Sequence, residues 1–468
     1  MSPVLKVTNP YDGAALGDVP IPTDQELGKI VTRGAAAAKA WARSTSAERH
    51  GVLTAVAQGL TDNRETFVTL ISKEAGKPRR FAEVEVDRAI GVFHWAAGEA
   101  LRFGGKVLRL DTTKNGRPGM GIVTRFPRGL ILGITPFNFP LNLVAHKVAP
   151  ALASGNTILV KPSPQAPLTA LELAGLVEKH APGLNLMGVV AATDEQTARL
   201  TAAPEVAMVA FTGSARVGWL IREQAPKKPV TLELGGNAWC LIAPDVPEAD
   251  LPGIARRVAG AAYGYAGQSC ISVQNVACAE NLWPAFRDAM VAATQATPYG
   301  NPADPAVVCG PLINGGARAR IEKDLATAKG RHHTSVKLVG AGDCKTLLAP
   351  VFVEDADPSS PLVREEVFGP VATGRAVSTT EDALRLVNAS HYGLQAGLYT
   401  NDLALIERAY EELHVGGLII NDVPTTRYDH QPYGGVKDSG FGREGLESAM
   451  EEMTEPKFLA LGAGRVLG

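Results

Sequence analysis

The chain has 468 residues and a formal net charge of −2, with 45% hydrophobic and 20% charged residues. That length suggests roughly three folding units at about 150 residues each, and the balance is that of a globular chain with a large core, not a disordered one. A charge so close to zero gives no reason to expect nucleic acid or an anionic membrane as partner, because both call for basic surfaces.

The first hundred residues read as helical. Gly34 to Arg43 is alanine-rich, and Ala47 to Leu60, Asn63 to Glu74 and Phe81 to Arg102 carry helical spacing. Thr23 and Ser46 are candidate N-caps, the latter with Glu48 in the first turn. Lys106 to Leu110 and Gly121 to Phe126 are β-like runs, and the Asn115-Gly116 between them signals a hairpin, a candidate projecting arm. From Leu130 to Glu233 strands alternate with helices. The strands are Leu130 to Ile134, Thr157 to Val160, Met208 to Phe211 and Val230 to Leu232; the helices are Leu141 to Leu152, Ala170 to Glu178 and Ala215 to Glu223. Short apolar strands alternating with helices point to an α/β chain with a doubly wound parallel sheet. A second alternating region starts at Trp239 to Ile242, with helices near Ala255 to Tyr263 and Trp283 to Thr294. Gly434 to Gly445 reads as an ordered loop and Pro456 to Leu461 as a last strand.

The five cysteines (240, 270, 278, 309 and 344) are odd in number and form no CxxC pair, and HExxH is absent. Reduced thiols in a cytoplasmic compartment are expected, and no metal site of usual zinc spacing. The start has no apolar signal core, and the longest uncharged stretch, 129 to 145, is broken by Pro136 and Pro140, so no membrane span is expected.

Six segments carry candidate chemistry. In Gly267-Gln268-Ser269-Cys270 the thiol sits among small residues. It is either a nucleophile on an open turn or an inert core cysteine. In Leu232-Glu233-Leu234-Gly235-Gly236 an acid ends an apolar run, as a buried base or a salt-bridge partner. Asn138 lies between Pro136 and Pro140, as a fixed donor to an oxyanion or as a turn residue. Phe211-Thr212-Gly213-Ser214, with Gly218 further on, joins a strand to a helix. Gly213 permits the turn, Ser214 caps the helix and Gly218 allows close packing, so a phosphate is welcome there, although the spacing is not GxGxxG. Lys161 and Ser163 follow a strand, within reach of a ribose or simply solvated. Glu366 and Phe368 share one face of an extended segment, to hold ribose and ring, or as a surface acid beside a core phenyl.

Together and in this order, and with Pro432-Tyr433-Gly434-Gly435 to Gly440, these segments resemble the NAD(P)-dependent aldehyde dehydrogenase superfamily over almost the whole chain. The resemblance implies a fold of two doubly wound parallel-sheet domains plus a small β bridging arm. Residues 1–107 and 128–235 would bind the cofactor and 236–435 would form the catalytic domain. Residues 108–127 and 454–468 would form the arm, and 436–453 would return to the cofactor domain. It implies Cys270 as nucleophile, Asn138 and the Cys270 backbone N–H as oxyanion donors, and Glu233 as base for thioester hydrolysis. Lys161 and Ser163 would face the adenosine ribose, Gly213, Ser214 and Gly218 the pyrophosphate, and Glu366 and Phe368 the nicotinamide half, with Leu234 also binding the cofactor. A homodimer or homotetramer is implied. Where many NAD-preferring members carry a glutamate, this chain has Pro164, so nothing repels a 2′-phosphate; NAD and NADP both remain open.

For the substrate, Phe139, Asn142 and His146 share one helix face, and Arg427 and His430 lie in a late loop. They face a polar substrate tail, or they serve a surface or an interface salt bridge. The motifs are most similar to members acting on lactaldehyde or glyceraldehyde-3-phosphate. Ser269 stands where some relatives that bind acids carry Arg. A short hydroxylated, phosphorylated or otherwise polar aldehyde is expected, oxidised to its acid. The alternatives are a CoA-acylating dehydrogenase, a cysteine esterase, or a cofactor-binding protein without turnover.

Overall fold

The computed structural model describes residues 3–116, 119–225, 227–340 and 344–462. The chain opens with a hairpin, β1 (Val4–Thr8) and β2 (Ala15–Pro20), paired antiparallel. The expectation of a purely helical first hundred residues is therefore corrected. The turn is closed by Asn9, whose Oδ1 accepts from Tyr11 N, and by Gly13 at φ 74°. Four helices follow: α1 (Asp24–Trp41), α2 (Ser46–Asp62), α3 (Arg64–Ala75) and α4 (Arg79–Arg102). Thr23 caps α1 as expected, in a reciprocal box with Glu26. The cap of α2 is Thr45, not Ser46. Only Thr45 lies three residues before Glu48, the spacing that closes a capping box; each such box contributes about 1 kcal/mol.

The predicted hairpin is present as β3 (Lys106–Arg109) and β4 (Gly119–Pro127), antiparallel. Arg117 and Pro118 of its connection lie outside the described residues.

The first large sheet starts at β5 (Leu130–Ile134), all five residues buried. It continues through α5 (Asn142–Ala153), β6 (Thr157–Lys161), α6 (Leu168–His180), β7 (Met187–Val189), α7 (Asp194–Ala202), β8 (Val206–Thr212), α8 (Ala215–Gln224) and β9 (Val230–Glu233). The strand β7 (three residues) and the largely polar helix α7 carry too little signal to be read from the sequence. Strands β7-β6-β5-β8-β9 are parallel neighbours. The chain runs outward from β5 to β7, then jumps back to β8, so the order reverses between β5 and β8. A crevice at the carboxyl ends of the strands is the usual consequence.

The second sheet contains β10 (Ala238–Ile242), followed by α9 (Leu251–Tyr263), β11 (Val273–Ala279) and α10 (Trp283–Ala296). The two-residue β12 (Tyr299–Gly300), α11 (Gly315–Thr327), β13 (Arg331–Thr334) and two-residue β14 (Leu338–Val339) come next. Then follow β15 (Val351–Glu354), α12 (Pro361–Arg364), β16 (Val371–Val377), α13 (Thr380–Ala389), the two-residue β17 (Tyr392–Gly393), β18 (Gln395–Tyr399), α14 (Leu403–Glu412) and β19 (Gly417–Ile420). The order is β13-β15-β16-β11-β10-β18-β19, with only β13 antiparallel to its neighbour. The loop expected at 434–445 is ordered and includes two short strands. The first, β20 (Val436–Lys437), pairs with β17, and the second, β21 (Gly440–Phe441), adds antiparallel to β9. After α15 (Leu446–Glu452), the last strand β22 (Thr454–Gly462) pairs along all nine residues with β4. Residues 463–468 of the expected arm lie outside the described residues. Among the described residues, no helix is long and apolar enough to cross a membrane.

Candidate active site

A cavity of about 1140 Å³ lies between the two sheets. On one side its walls are Pro136 to Asn138 after β5, Thr212 to Ser214 after β8, and Glu233 to Gly235 at the end of β9. These are the carboxyl ends of the first sheet, on both sides of its reversal point. The other wall comes from Ser269 to Ile271 before β11 and Glu365, Glu366 and Phe368 before β16. A loop carrying Arg427 and Tyr433 completes it. A second cavity, about 570 Å³, sits at the carboxyl ends of the central strands of the second sheet, against Ile242, Ala279 and Val377, and holds none of the candidate residues.

Cys270 is presented by an unusual turn. Tyr265, Ala266 and Gly267 follow one another at φ 51°, 55° and 65°. A Cβ on Gly267 would lie 2.1 Å from the Gly369 carbonyl oxygen, so this position admits only glycine. The half-buried Cys270 Sγ lies 3.2 Å from the Tyr433 hydroxyl. Burial pushes its thiol up to about 11; the Tyr433 hydrogen bond and the Arg427 charge oppose that rise.

Asn138 is 3% exposed, and its Nδ2 donates 2.9 Å to the Gln268 carbonyl. That carbonyl fixes which end of the amide is the donor and leaves the second Nδ2 hydrogen free. Gln268 is itself held, by Tyr265 O, Pro311 O and Ile313 N. Glu233 is 4% exposed and neither carboxylate oxygen has a hydrogen-bond partner. Burial, and then the charge of Glu444, raise its pKa well above 4.5, against Arg427, Lys147 and Arg443. A carboxyl left in this state suits proton transfer near neutral pH.

The glycines after Glu233 make room. A Cβ on Gly235 would meet Glu366 Oε2 at 2.4 Å, and one on Gly236 would meet the Cys270 carbonyl oxygen at 2.4 Å. Gly236 N donates 3.1 Å to Glu366 Oε1. Loss of water pushes the Glu366 carboxyl up to about 7, with Gly236 N–H and Arg320 opposing. Phe368 packs edge-on to Phe137 at 5.9 Å. Its backbone is left-handed, φ 48°, so the expectation of an extended Glu366–Phe368 segment is corrected; the two side chains nonetheless line the same cavity. Such strain in a non-glycine residue clusters at functional sites.

Gly213 does not serve a left-handed turn: no positive φ occurs there, and its role is to seat the Phe211 ring, 2.5 Å from where a Cβ would be. Gly218 packs on Leu234, as expected, with 2.4 Å between a would-be Cβ and Leu234 Cδ2. Ser214 occupies the N-cap of α8 but makes no side-chain capping bond, a correction to the sequence reading. The first turn of α8 is thereby left without that internal acceptor. Lys161 and Ser163 sit at the end of β6, next to β5, outside the cavity walls. Lys161 is half-buried, which lowers its pKa, and Ser163 Oγ bonds Gln165. Pro164 is exposed.

Of the substrate candidates, Phe139, Asn142, Ser269 and Arg427 line the cavity. Asn142 Oδ1 and Arg427 Nε are buried without partners. Arg427 lies 3.7 Å over the Tyr433 ring and 3.4 Å from Glu444. His146 does not line the cavity. It is buried behind it, with Nε2 2.9 Å from Asp429 Oδ1, and burial lowers its pKa. His430 stacks on Trp95 at 4.9 Å, away from the walls. The sequence reading assigned no role to Tyr433, Gln268 or Glu444. Each reaches its partner only through the tertiary fold; Tyr433 is 163 residues from Cys270.

Comparison with known proteins accords with this arrangement. A profile of the aldehyde dehydrogenase family matches residues 2–459. A 3-sulfolactaldehyde dehydrogenase of Priestia aryabhattai is 35% identical over 460 residues, covering 98% of this chain and 94% of the relative. The structure of aldehyde dehydrogenase 21 from Physcomitrella patens, in complex with the reaction product succinate, superposes with a TM-score of 0.94 at 35% identity, covering 100% of this chain and 96% of that one. The NADP-dependent glyceraldehyde-3-phosphate dehydrogenase from Bacillus halodurans C-125, complexed with NADP, gives 0.93 at 30% identity, with 99% and 96% covered. With this fold, this cavity and these matches over its whole length, the chain belongs to the aldehyde dehydrogenase family and is an NAD(P)-dependent oxidoreductase.

Proposed function

We propose that this enzyme oxidises a short polar aldehyde to its carboxylic acid through a covalent intermediate on Cys270. Gly213, Ser214, Gly218, Leu234, Glu366 and Phe368 would hold NAD(P), with Lys161 and Ser163 toward its adenosine end, and the bound cofactor would supply the hydride acceptor. The chain supplies the rest. Cys270 Sγ attacks the carbonyl carbon. The free Nδ2 hydrogen of Asn138 and the Cys270 backbone N–H steady the oxygen as it gains charge, an effect worth about 3 kcal/mol. After oxidation the acyl group remains on Sγ as a thioester. Glu233, as carboxylate, takes a proton from water, whose oxygen attacks the thioester carbon; the C–S bond breaks, releasing the acid and leaving Cys270 as thiolate, and Glu233 then gives its proton to solvent. The presence of this carboxylate in the cavity favours water over CoA as acyl acceptor. Residues 1–107, 128–235 and 436–453 form the cofactor unit in this reading, and 236–435 the catalytic unit.

The single observation that carries the substrate class is Arg427. It is a buried cation (side chain 7% exposed) with an unpartnered Nε in the wall that also holds Cys270. An anionic or hydroxylated tail supplies the missing acceptor, with Asn142 and Ser269 beside it. The named relatives act on such compounds: 3-sulfolactaldehyde, glyceraldehyde-3-phosphate, and a substrate whose product is succinate. His146, through Asp429, positions the loop that carries Arg427. Reduced-nicotinamide absorbance tests this with lactaldehyde, glyceraldehyde-3-phosphate, succinic semialdehyde and a plain aliphatic aldehyde, each with NAD and NADP. The reading predicts the highest kcat/KM for a polar aldehyde, and in Arg427→Met a KM for it raised about tenfold or more, about 1.4 kcal/mol. A parent enzyme that prefers the aliphatic aldehyde contradicts it. We also infer self-association through the β3–β4–β22 sheet, whose outer strand exposes Phe458, Leu459 and Leu461. We further propose a cytoplasmic location, a reading supported by five free cysteines.

A further inference from the structure

Tyr433 is held as firmly as the nucleophile it touches. Its backbone exchanges both hydrogen bonds with Glu444, and its ring packs with Ile271 and Leu394. The hydroxyl is thereby fixed 3.2 Å from Cys270 Sγ. The Arg427 guanidinium stands 3.7 Å over the ring centroid. A cation on that face draws electron density from the phenol and makes its O–H a stronger donor. We propose that Tyr433 is a positioning residue for the nucleophile, its hydroxyl donating a hydrogen bond to the Cys270 thiolate with Arg427 strengthening that donor. The proposal rests on Cys270 being the nucleophile.

Ionisation breaks the S–H bond, passes the proton to water in the cavity and leaves the electron pair on Sγ. The phenol keeps its own proton, because burial and the neighbouring sulfur push its pKa well above 10. The charged groups facing the thiol are Arg427, which favours thiolate, and Glu233 and Glu366, which disfavour it. Glu444 lies behind Arg427, and Lys147 and Arg443 act on Glu233. Against two carboxyls and burial, the thiolate has two supports, Tyr433 and Arg427.

The test is the pH dependence of Cys270 alkylation by iodoacetamide in the full-length protein. In Tyr433→Phe the midpoint is expected to rise by about one pH unit, with an about tenfold slower rate at pH 7 and an unchanged rate at high pH. The first-turnover rate of nicotinamide reduction should fall by the same factor at pH 7, with KM unchanged. A general packing defect would slow alkylation at every pH. Placing 3-fluorotyrosine at position 433, the same shape and a stronger donor, should lower the midpoint, which keeps the proposal open to refutation if the Phe variant folds poorly. A midpoint equal to the parent's in both variants overturns it. Cys270→Ala separates the two levels. If that variant still turns over, the nucleophile assignment fails; if it is inactive while Tyr433→Phe titrates like the parent, only the role of Tyr433 fails.

Discussion

Gly235 and Glu366 occupy one another's space: a Cβ on Gly235, in the connection between β9 and β10, would lie 2.4 Å from the Oε2 of Glu366, in the loop before β16. The missing side chain lets the carboxylate of the loop before β16 enter beside the strand ends of the first sheet. There the backbone N–H of the next residue, Gly236, binds it. This part of the cavity wall is thus built by two loops meeting where one of them has no side chain.

Gly235→Ala should therefore displace the Glu366 carboxylate without touching Cys270. Calorimetric titration with NAD(P) should show affinity weakened about tenfold, about 1.4 kcal/mol, with the iodoacetamide reactivity of Cys270 retained. Parent-like affinity would remove Glu366 from the cofactor site.

Gly267→Ala meets two obstacles, a left-handed backbone at φ 65° and the Gly369 carbonyl 2.1 Å away. The strain is expected to cost about 1–3 kcal/mol and to displace the turn that presents Cys270. Turnover should fall by more than tenfold, while NAD(P) binding is largely kept. Full activity in this variant would show that the turn's shape is not needed.

The Glu233 carboxyl titrates well above its ordinary value because it is buried near Glu444. A base must be ionised, so thioester decay should slow as pH falls through that raised pKa. Formation of the thioester should not follow the same curve. Glu233→Gln should leave a first-turnover burst and slow acyl release about a hundredfold, with this pH limb gone. Loss of the burst instead would mean that Glu233 acts before acyl release.

Asp422 anchors the start of the loop that carries Arg427. It takes two bonds from Arg257, at 2.7 and 2.9 Å, and one each from Thr426 Oγ1 and Val423 N. The Arg257 bonds hold its carboxyl down at about 2, below the ordinary 3.8. A lowered folded-state pKa gives stability that is present above pH 3.8 and lost as pH falls through 2. Asp422→Asn should cost about 1 kcal/mol at pH 7, after solvent screening of a surface pair. The difference in denaturant midpoint from the parent should vanish near pH 2. A pH-independent difference would assign the effect to packing.

The elements legible in the sequence were those whose signal is local. Leu130–Ile134 is a buried apolar run between Gly129 and Thr135, and both its ends were read correctly. Thr45 and Ser46 offer the same hydroxyl side by side, and the cap is decided by the three-residue spacing to Glu48 that Thr45 alone has. The β1–β2 hairpin was missed although Asn9-Pro10-Tyr11-Asp12-Gly13 is a turn signal. Only Val7 and Val19 of its strands are buried, so the alternation is faint. Cys270, Glu233 and Asn138, each singled out by its own local motif, line one cavity. The Tyr433–Cys270 contact was not legible, because nothing in either motif records the other's position. His146 illustrates the opposite failure. Helical spacing placed it beside Asn142, but the helix turns it toward Asp429 and away from the cavity.

The central claim is a covalent acyl group on Cys270. The direct measurement is mass spectrometry of the Glu233→Gln variant, quenched in acid after one turnover with the preferred aldehyde and NAD(P). The account predicts the acyl mass on the peptide containing Cys270 and on no other cysteine, absent when either the aldehyde or NAD(P) is omitted. Reduced nicotinamide formed in stoichiometric amount with Cys270 unmodified would contradict it.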